Sequence, residues 1–428
     1  MIRFIVLRLK PHSFETRWYP GKRIMSEILS AYGTEWLNLL VRWLHLVAGI
    51  AWIGASFYFV WLDNNIRPPK PGSDLEKAGV SGELWAIHGG GFYNPQKYLV
   101  APKQLPQELH WFKWEAYATW LSGFALLLIV YHFNPSAMMI DRSVADLAPW
   151  QASAIGLGSL VVAWAVYDLL CRSPIGGRDA WFGIVIFIFL VASAYVLTKL
   201  LSGRAAYIHV GAMIGTIMVA NVLMVIIPGQ RKMVDAMRVG QSPDPVYGKR
   251  GKQRSVHNNY FTLPVVFIMI SNHYAMTYNH AFNWLVLAAI MAAGVLIRHF
   301  FNLRHQGRTV WGYPAAGLLI LLAVAVAIAP RPAGTSAGAA GGAAPDLAKV
   351  QAIVNLRCVA CHSDRPTQPG FATAPAGVML HTEALIRQHG ARVYQQTVQL
   401  KAMPIGNLTG MTDDERAVIG AWYEAGAR

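Results

Sequence analysis

Residues 36–62, WLNLLVRWLHLVAGIAWIGASFYFVWL, include a single charged side chain, that of Arg42. An α-helix needs roughly 20 apolar residues to cross the ~30 Å hydrocarbon layer of a membrane. This stretch is therefore predicted to be a transmembrane helix.

Seven further stretches are predicted to be transmembrane helices on the same grounds. They are Ala116–Phe133, Trp150–Leu170, Trp181–Leu200, Ala206–Ile227, Phe261–Tyr278, Phe282–His299 and Trp311–Ala329. The first and fifth helices share a weak match, Trp43-Leu44-His45 against Tyr207-Ile208-His209, which indicates a four-plus-four repeat. The predicted fold is all-α, an eight-helix transmembrane bundle followed by a smaller domain.

The composition agrees with a membrane protein, since 54% of the residues are hydrophobic and 14% are charged. The net charge of +15 does not indicate nucleic acid, because Lys and Arg lie mainly in loops between apolar stretches. In that position they are topology signals that face lipid headgroups. The expected partner is the lipid bilayer.

The small domain is defined by Cys358-Val359-Ala360-Cys361-His362. C-x-x-C-H is the attachment motif of a c-type haem, in which two thiols bond to the vinyl groups and the His is the proximal iron ligand. A zinc site is disfavoured because the remaining cysteine, Cys171, is far away in the sequence. The sequence predicts one covalent haem c.

Helices are predicted around this motif at Asp346–Arg357, Glu383–Leu400 and Thr412–Ala425, the last with a Thr412/Glu415 capping box. This arrangement predicts a small class I cytochrome c domain. The predicted domains are a tail (1–35), the transmembrane domain (36–329), a Pro/Gly/Ala linker (330–345) and the cytochrome domain (346–428).

The sixth iron ligand is predicted to be Met403, which precedes Pro404 between the second and third of these helices. Met379 and Met411 are the alternative sulfur donors. His381 and His389 are also potential ligands, but a histidine on the surface of a small domain is usually only solvated.

The membrane topology is predicted from the side on which haem c is attached and from the distribution of Lys and Arg among the loops. Haem c is attached outside the cytoplasm, so the cytochrome domain is expected on the periplasmic side of a bacterial inner membrane. The loops expected on that side carry few cations, Arg142, Lys199 and Arg204, as the positive-inside rule requires. The basic residues before Met25 disagree with this topology, and translation from Met25 is the hypothesis that would remove the conflict.

Five stretches carry a family resemblance: Thr34–Asn64, Glu83–Tyr93, Leu109–Gly123, Asn258–Tyr274 and Met403–Arg416. Together they resemble the membrane-bound urate hydroxylases fused to cytochrome c, the PuuD family. The resemblance implies oxidation of urate to 5-hydroxyisourate. It also implies that electrons leave through the cytochrome to a respiratory-chain acceptor, an oxidase or a soluble cytochrome c, and not to dioxygen.

Four intramembrane histidines are candidate functional residues, because ionisable groups are costly within a membrane. They are His45, His132, His209 and His273, and the predicted topology places all four in the periplasmic half. Two interpretations are open: a pair of them ligates a haem b that relays electrons to haem c, or they bond to neighbouring helices around a polar cavity. In the absence of haem b they become candidates for binding urate, together with Trp52 and Asn221.

The first long loop, Asp63–Glu115, holds a second group of candidates, which are Glu83, Trp85, His88, His110, Lys113 and Glu115. A site for urate, a flat anion, needs aromatic faces, a cation and a base, and this loop has each type. The alternative is an aromatic belt with solvated charges.

A different functional class is also compatible with the sequence. The chain could be an electron-transfer subunit that carries electrons from a quinol or a partner dehydrogenase through haem c. A haem-bearing transporter or sensor is a further alternative.

Overall fold

The structure is a computed structural model, and it describes residues 20–329, 345–369, 371 and 373–427, with side chains from residue 33 onward. The first part of the predicted N-terminal tail, residues 1–19, and residues 330–344 of the predicted linker lie outside the described residues. The described chain is mostly helical.

Twelve α-helices lie in the described part before residue 330. They are α1 (Pro20–Asn65), α2 (Asp74–Lys77), α3 (Trp114–Leu127), α4 (Pro135–Met138), α5 (Pro149–Arg172), α6 (Asp179–Thr198), α7 (Gly203–Ala220), α8 (Ile227–Arg238), α9 (Pro245–Ser271), α10 (Ala275–Tyr278), α11 (Asn283–His305) and α12 (Gly312–Ala327). A π-helical turn at Leu128–His132 extends α3, and another at Asn221–Ile226 joins α7 to α8.

Six segments within the described residues are long and apolar enough to cross a membrane, which is compatible with a membrane protein. They are Gly33–Asn65, Trp114–His132, Pro149–Arg172, Asp179–Thr198, Gly203–Arg238 and Asn283–His305. The predicted count of eight is not confirmed, and two of the predicted spans differ from the structure.

The predicted span Phe261–Tyr278 is wrong as a single helix. Helix α9 begins earlier, at Pro245, passes through a charged first half and ends at Ser271, and α10 is a separate turn. The predicted span Trp311–Ala329 is the apolar but short helix α12, with 16 residues. The hydrophobic run of α9 was extended too far because the break at residues 272–274 contains no Pro or Gly to mark it.

Helix α7 is the centre of the bundle. Tyr207, Val210, Ile214 and Ile217 have no exposed surface, and α5, α6 and α9 pack around them. Small residues along α7 allow these helices to approach closely, as in membrane helix packing. A Cβ on Gly211 would lie 2.5 Å from Cγ2 of Ile268 in α9, so this crossing depends on glycine.

The first long loop contains short strands that were not predicted. Strand β1 (Val80–Glu83) pairs antiparallel with β4 (Gln96–Tyr98), and β2 (Ala86–His88) pairs antiparallel with β3 (Gly91–Tyr93). The turn between β2 and β3 uses Gly89 and Gly90, both with positive φ. The fold is therefore mostly α, with two small hairpins at one end of the bundle.

The C-terminal segment has its own apolar core. Its helices are α13 (Leu347–Arg357), α14 (Glu383–Gln388), α15 (Gly390–Tyr394) and α16 (Asp413–Glu424). The capping box of α16 is confirmed, while the predicted helix Glu383–Leu400 is divided into α14, α15 and a π-helical turn at Gln395–Gln399. Five side chains with 0–1% exposure form the centre of this core: Val350, Val354, Ile386, Ile419 and Trp422.

This C-terminal domain contacts the helix bundle at the end opposite the two hairpins. The Asn279 side-chain amide, which follows α10, donates to the Leu400 carbonyl at 2.8 Å. At Gly406, whose φ is +54°, a Cβ would lie 2.7 Å from the carbonyl oxygen of Ile140. The two parts therefore approach each other backbone to backbone, and a larger residue at 406 would separate them.

Candidate functional site

The motif Cys358–His362 forms one short turn at the end of α13. The backbone N–H groups of Cys361 and His362 both donate to the Cys358 carbonyl, at 3.1 and 2.9 Å. The three side chains of the motif are thereby set on a single turn. Burial raises the pKa of the Cys358 thiol to about 12 and also raises that of Cys361, so both are neutral thiols in apolar surroundings.

The imidazole of His362 is oriented by the backbone. Its Nδ1 donates to the Val378 carbonyl at 2.8 Å, which leaves Nε2 as the ligating nitrogen. A hydrogen bond from the other ring nitrogen to a backbone carbonyl is typical of metal-bound histidines. The residues therefore fit a covalently held haem. No group of three or more His, Cys, Asp or Glu residues that could hold a bare metal ion occurs in the described part of the chain, but haem iron needs at most two protein ligands.

The Met403 loop is fixed through its main chain. The Met403 N–H donates to the Gln396 carbonyl at 3.0 Å, and the Met403 carbonyl accepts from Arg416 Nη1 at 2.8 Å. Arg416 is only 7% exposed and also donates to the Thr397 carbonyl. The half-buried Met403 side chain takes no part in these bonds, so the assignment of Met403 as a ligand stays a prediction.

The alternative donors lie in different settings. Met411 is 3% exposed and packs in the core of the C-terminal domain, with its backbone bonded to Asn407. Met379 and His389 are half-buried. His381 is half-buried too, and its Nδ1 is a buried atom without a hydrogen-bond partner.

Two of the four histidines that were predicted to lie within the membrane are in contact. His209 has no exposed surface, and its Nε2 lies 3.2 Å from Nε2 of His132. His209 Nδ1 donates to the Ala205 carbonyl at 2.8 Å, so its Nε2 is an acceptor and the proton between the rings belongs to His132. Nδ1 of His132 is then unprotonated, and its lone pair is buried without a hydrogen-bond partner.

The paired histidines do not fit a haem b held between them. Two axial imidazoles are separated by two metal–nitrogen bonds of about 2 Å each, with the porphyrin plane between the rings. Here the nitrogens are at hydrogen-bond distance. The backbone of α5 also closes the site, since a Cβ on Gly156 would lie 2.4 Å from His209 Nε2.

The other two histidines have different neighbours. His45 Nδ1 donates to the Thr119 carbonyl at 2.9 Å, and its ring packs on Gly123, where a Cβ would lie 2.7 Å from the ring. His273 is exposed in the break after α9 and lines a cavity next to the C-terminal domain. The structure thus brings together only His132 and His209 among the four.

The candidates of the first long loop are dispersed over its hairpins and the start of α3. Trp85 is 67% exposed and His88 is also exposed, while Glu83 accepts a hydrogen bond from Asn94. The other three candidates lie close to the start of α3. His110 stacks edge-on with Phe112, Lys113 lies over the ring of Trp114, and Oε2 of Glu115 is buried without a partner. Their role in binding stays a prediction.

A buried polar network between α5, α7 and α9 was missed by the sequence analysis, apart from Asn221. Arg254 is 4% exposed and donates to Asp168 at 2.8 Å and to Asn221 at 3.2 Å. Asn221 donates to Tyr167 and to Asn258 at 2.9 and 2.8 Å. Two signals could have indicated it, an aspartate near the end of an apolar helix and the adjacent residues Asn258 and Asn259 beside an apolar run.

The charged and polar groups of this network are paired with one another. Asp168 also pairs with Arg172 at 2.7 Å, and Tyr167 bonds to Nδ1 of His257 at 2.8 Å. The ring of His257 stacks flat on Phe182, with centroids 4.3 Å apart. We therefore interpret the network as a tie between helices.

Comparison with known proteins gives one match. A family model described as urate oxidase N-terminal matches residues 31–329. Neither the search of curated proteins nor that of solved structures found a match. Because the matched segment covers more than half of the chain, the protein belongs to the urate oxidase N-terminal family, a family of oxidoreductases that act on urate.

Proposed function

We propose that this protein oxidises urate to 5-hydroxyisourate and passes the electrons to a haem c in its own C-terminal domain. The proposal depends on two features of one chain. Residues 31–329 belong to a urate oxidase family, and the C-terminal domain has Cys358-x-x-Cys361-His362 with the His362 ring already oriented for ligation.

The reaction balances without dioxygen. Urate and one water give 5-hydroxyisourate, two protons and two electrons. Haem c, when bound, accepts one electron at a time, so two transfers with reoxidation between them are needed for each urate. The final acceptor is a component of the respiratory chain, an oxidase or a soluble cytochrome c.

Each residue of the C-terminal site has a defined task in this proposal. Cys358 and Cys361 would hold the group covalently, His362 would bind the iron through Nε2, and Met403 would be the second protein ligand. Arg416 holds the Met403 loop by its bonds to the Met403 and Thr397 carbonyls. The six apolar segments support a location in a membrane. Because haem c is attached outside the cytoplasm, the proposed location is a bacterial inner membrane with the cytochrome domain on its periplasmic side.

Anaerobic spectroscopy of the purified protein tests this function. Urate added to the oxidised protein without dioxygen is expected to produce the spectrum of reduced haem c, with 5-hydroxyisourate formed at one molecule per two electrons. A quinol analogue serves as the comparison reductant. Reduction by quinol but not by urate would contradict the proposal and favour an electron-transfer subunit.

A further inference from the structure

A polar cavity of about 800 Å³ lies between the helix bundle and the C-terminal domain. Its bundle side is formed by the connections that follow α4, α6, α9 and α10, and its other side by residues 396–416. A larger groove of about 1170 Å³ between α6, α9 and α11 is lined mostly by apolar side chains, which do not suit a polar ring. The interdomain cavity is the more polar of the two.

The cavity has an excess of positive charge. Lys401 is neutralised by Asp413 at 2.8 Å. Arg204, in contrast, donates to the Asn272 carbonyl at 3.3 Å, and its Nε is a buried atom without a hydrogen-bond partner. Arg204 is also the second residue of α7, where the helix dipole favours an anion.

Neutral hydrogen-bond donors line the same cavity. Asn272 accepts the Tyr131 hydroxyl at its Oδ1, 2.7 Å away, which leaves its amide N–H groups to donate. The ring of His280 accepts the Phe282 N–H at Nδ1, so the neutral ring carries its proton on Nε2. Both residues line the cavity.

These groups match an oxopurine anion. Urate at neutral pH is a planar monoanion with carbonyl oxygens on both rings, and it requires a cation and several N–H donors in one place. A guanidinium without a carboxylate partner is suited to this, because charge-assisted hydrogen bonds are about twice as strong as neutral ones. The exposed imidazole of His273 at the same cavity is a suitable proton acceptor.

The cavity is also next to the electron acceptor of the proposed reaction, since Met403 forms part of its wall. The first long loop lies at the other end of α3 and its π-helical turn, Trp114–His132, a length of roughly 28 Å at 1.5 Å per residue. A substrate in the cavity needs no relay across the bundle, which removes the reason for a haem b between His132 and His209.

We propose that this interdomain cavity is the urate site, with Arg204 as the anchor for the anion and Asn272 and His280 as additional donors. The inference depends on the proposed function. Oxidation of the bound ring would release two electrons, one at a time, which a haem c held by Cys358, Cys361 and His362 in the adjacent domain would accept. The oxygen of one water bonds to the ring, and two protons are released to solvent at the rim.

Binding can be measured without turnover. The full-length holoprotein is reduced with dithionite under anaerobic conditions, so that no electron acceptor remains, and equilibrium binding of radiolabelled urate is determined. Arg204→Gln is expected to weaken binding by about 10- to 100-fold, the loss of hydrogen bonds to a charged group. Asn272→Asp, which retains the acceptor for Tyr131 and adds a negative charge, is expected to weaken it as well.

Matched controls separate the outcomes. Arg142→Gln removes the same charge at the same end of the bundle, outside the cavity, and is expected to leave binding within about twofold, because an exposed charge is screened. Lys113→Gln, in the first long loop, is expected to have no effect. The haem spectrum and gel filtration verify that each variant is folded.

Unchanged binding in folded Asn272→Asp and Arg204→Gln would overturn the cavity as the site. Weakening by Lys113→Gln alone would move the site to the first long loop and leave the proposed function standing. If wild-type protein neither binds urate nor is reduced by it, the proposed function itself fails.

Discussion

At the scale of single residues, the C-terminal site is held by bonds between side chains and the backbone. His362 is fixed by the Val378 carbonyl, and the loop of Met403 is fixed by Arg416. The haem-attachment site could be predicted from sequence because haem attachment requires the spacing of Cys358, Cys361 and His362 that the motif has. The hydrogen bonds from Arg416 to the Thr397 and Met403 carbonyls could not be predicted, since no local sequence pattern connects these residues.

Met403→Ala tests the sixth ligand. Loss of the thioether is expected to lower the reduction potential and to remove the sulfur-to-iron absorption band, because Met ligation raises the potential of cytochromes c. Redox titration and visible spectroscopy measure both effects. Met411→Leu is the control, since its side chain packs in the core. If Met403→Ala retains the wild-type spectrum and potential, the ligand is Met379 or Met411.

The pair of Glu415 and Arg357 makes the C-terminal domain sensitive to acid. Burial raises the pKa of the Glu415 carboxyl, but the N–H of Thr412 and the guanidinium of Arg357, 3.0 Å away, outweigh it and hold that pKa below its ordinary value. A lowered carboxyl pKa stabilises the fold above the unfolded value of about 4.3, and this stabilisation is lost as the pH falls through the folded pKa.

Glu415→Gln is therefore expected to destabilise the domain by about 1 kcal/mol at pH 7. The difference from wild type is expected to shrink as the pH falls below about 4.3 and to disappear once the pH is below the lowered pKa of Glu415 in the folded state. Guanidinium unfolding of the full-length protein, followed by the low-spin haem spectrum, gives the free energy. Asp414→Asn, an exposed position in the same turn, is the control. A deficit that persists unchanged at low pH would show that the charge is not responsible.

At the scale of helices, two histidines pack on glycines of a neighbouring helix. His45 of α1 lies on Gly123 of α3, and His209 of α7 lies on Gly156 of α5. Both use Nδ1 to bond a helix carbonyl. The weak match between α1 and α7 was visible in the sequence, but the glycine partners were not, because helix neighbours cannot be deduced from hydrophobic periodicity.

Gly156→Ala is expected to destabilise the bundle by about 1–3 kcal/mol, the cost of overpacking a closed core, because the added Cβ would meet His209 Nε2 at 2.4 Å. Gly158→Ala is the matched control on the same helix, since nothing lies within 4 Å of its added Cβ. Thermal unfolding in detergent compares the two. Equal stability of both variants would contradict the packing of His209.

The predicted span that began at Phe261 left out the first half of α9, and this error has a physical cause. An apolar window identifies where a helix can contact lipid, but it ignores a charged or polar half that is buried in protein. Arg254, Asn258 and Asn259 are all less than 9% exposed because partners on other helices satisfy them. Polar residues that are paired in this way lower the hydropathy of a helix without preventing its burial.

At the scale of the whole molecule, the structure predicts the haem content. The His132 and His209 rings are bonded to each other, and α5 closes the space beside them. A pyridine haemochrome assay of the purified protein is expected to find one haem c per chain and no haem b. One equivalent of haem b would show that the bundle opens at these residues, and His132→Ala, which should not change the haem c content, would then be expected to remove it.

The cavity and the C-terminal domain are at the same end of the bundle, and this has an energetic consequence. If urate binds there, electrons and protons all leave on one side, so no charge crosses the bilayer. A site in the first long loop would instead move each electron through the membrane field, which changes the free energy by about 2.3 kcal/mol per charge for every 100 mV. Urate oxidation in proteoliposomes should therefore be electroneutral: it should not respond to an imposed diffusion potential and should not build one.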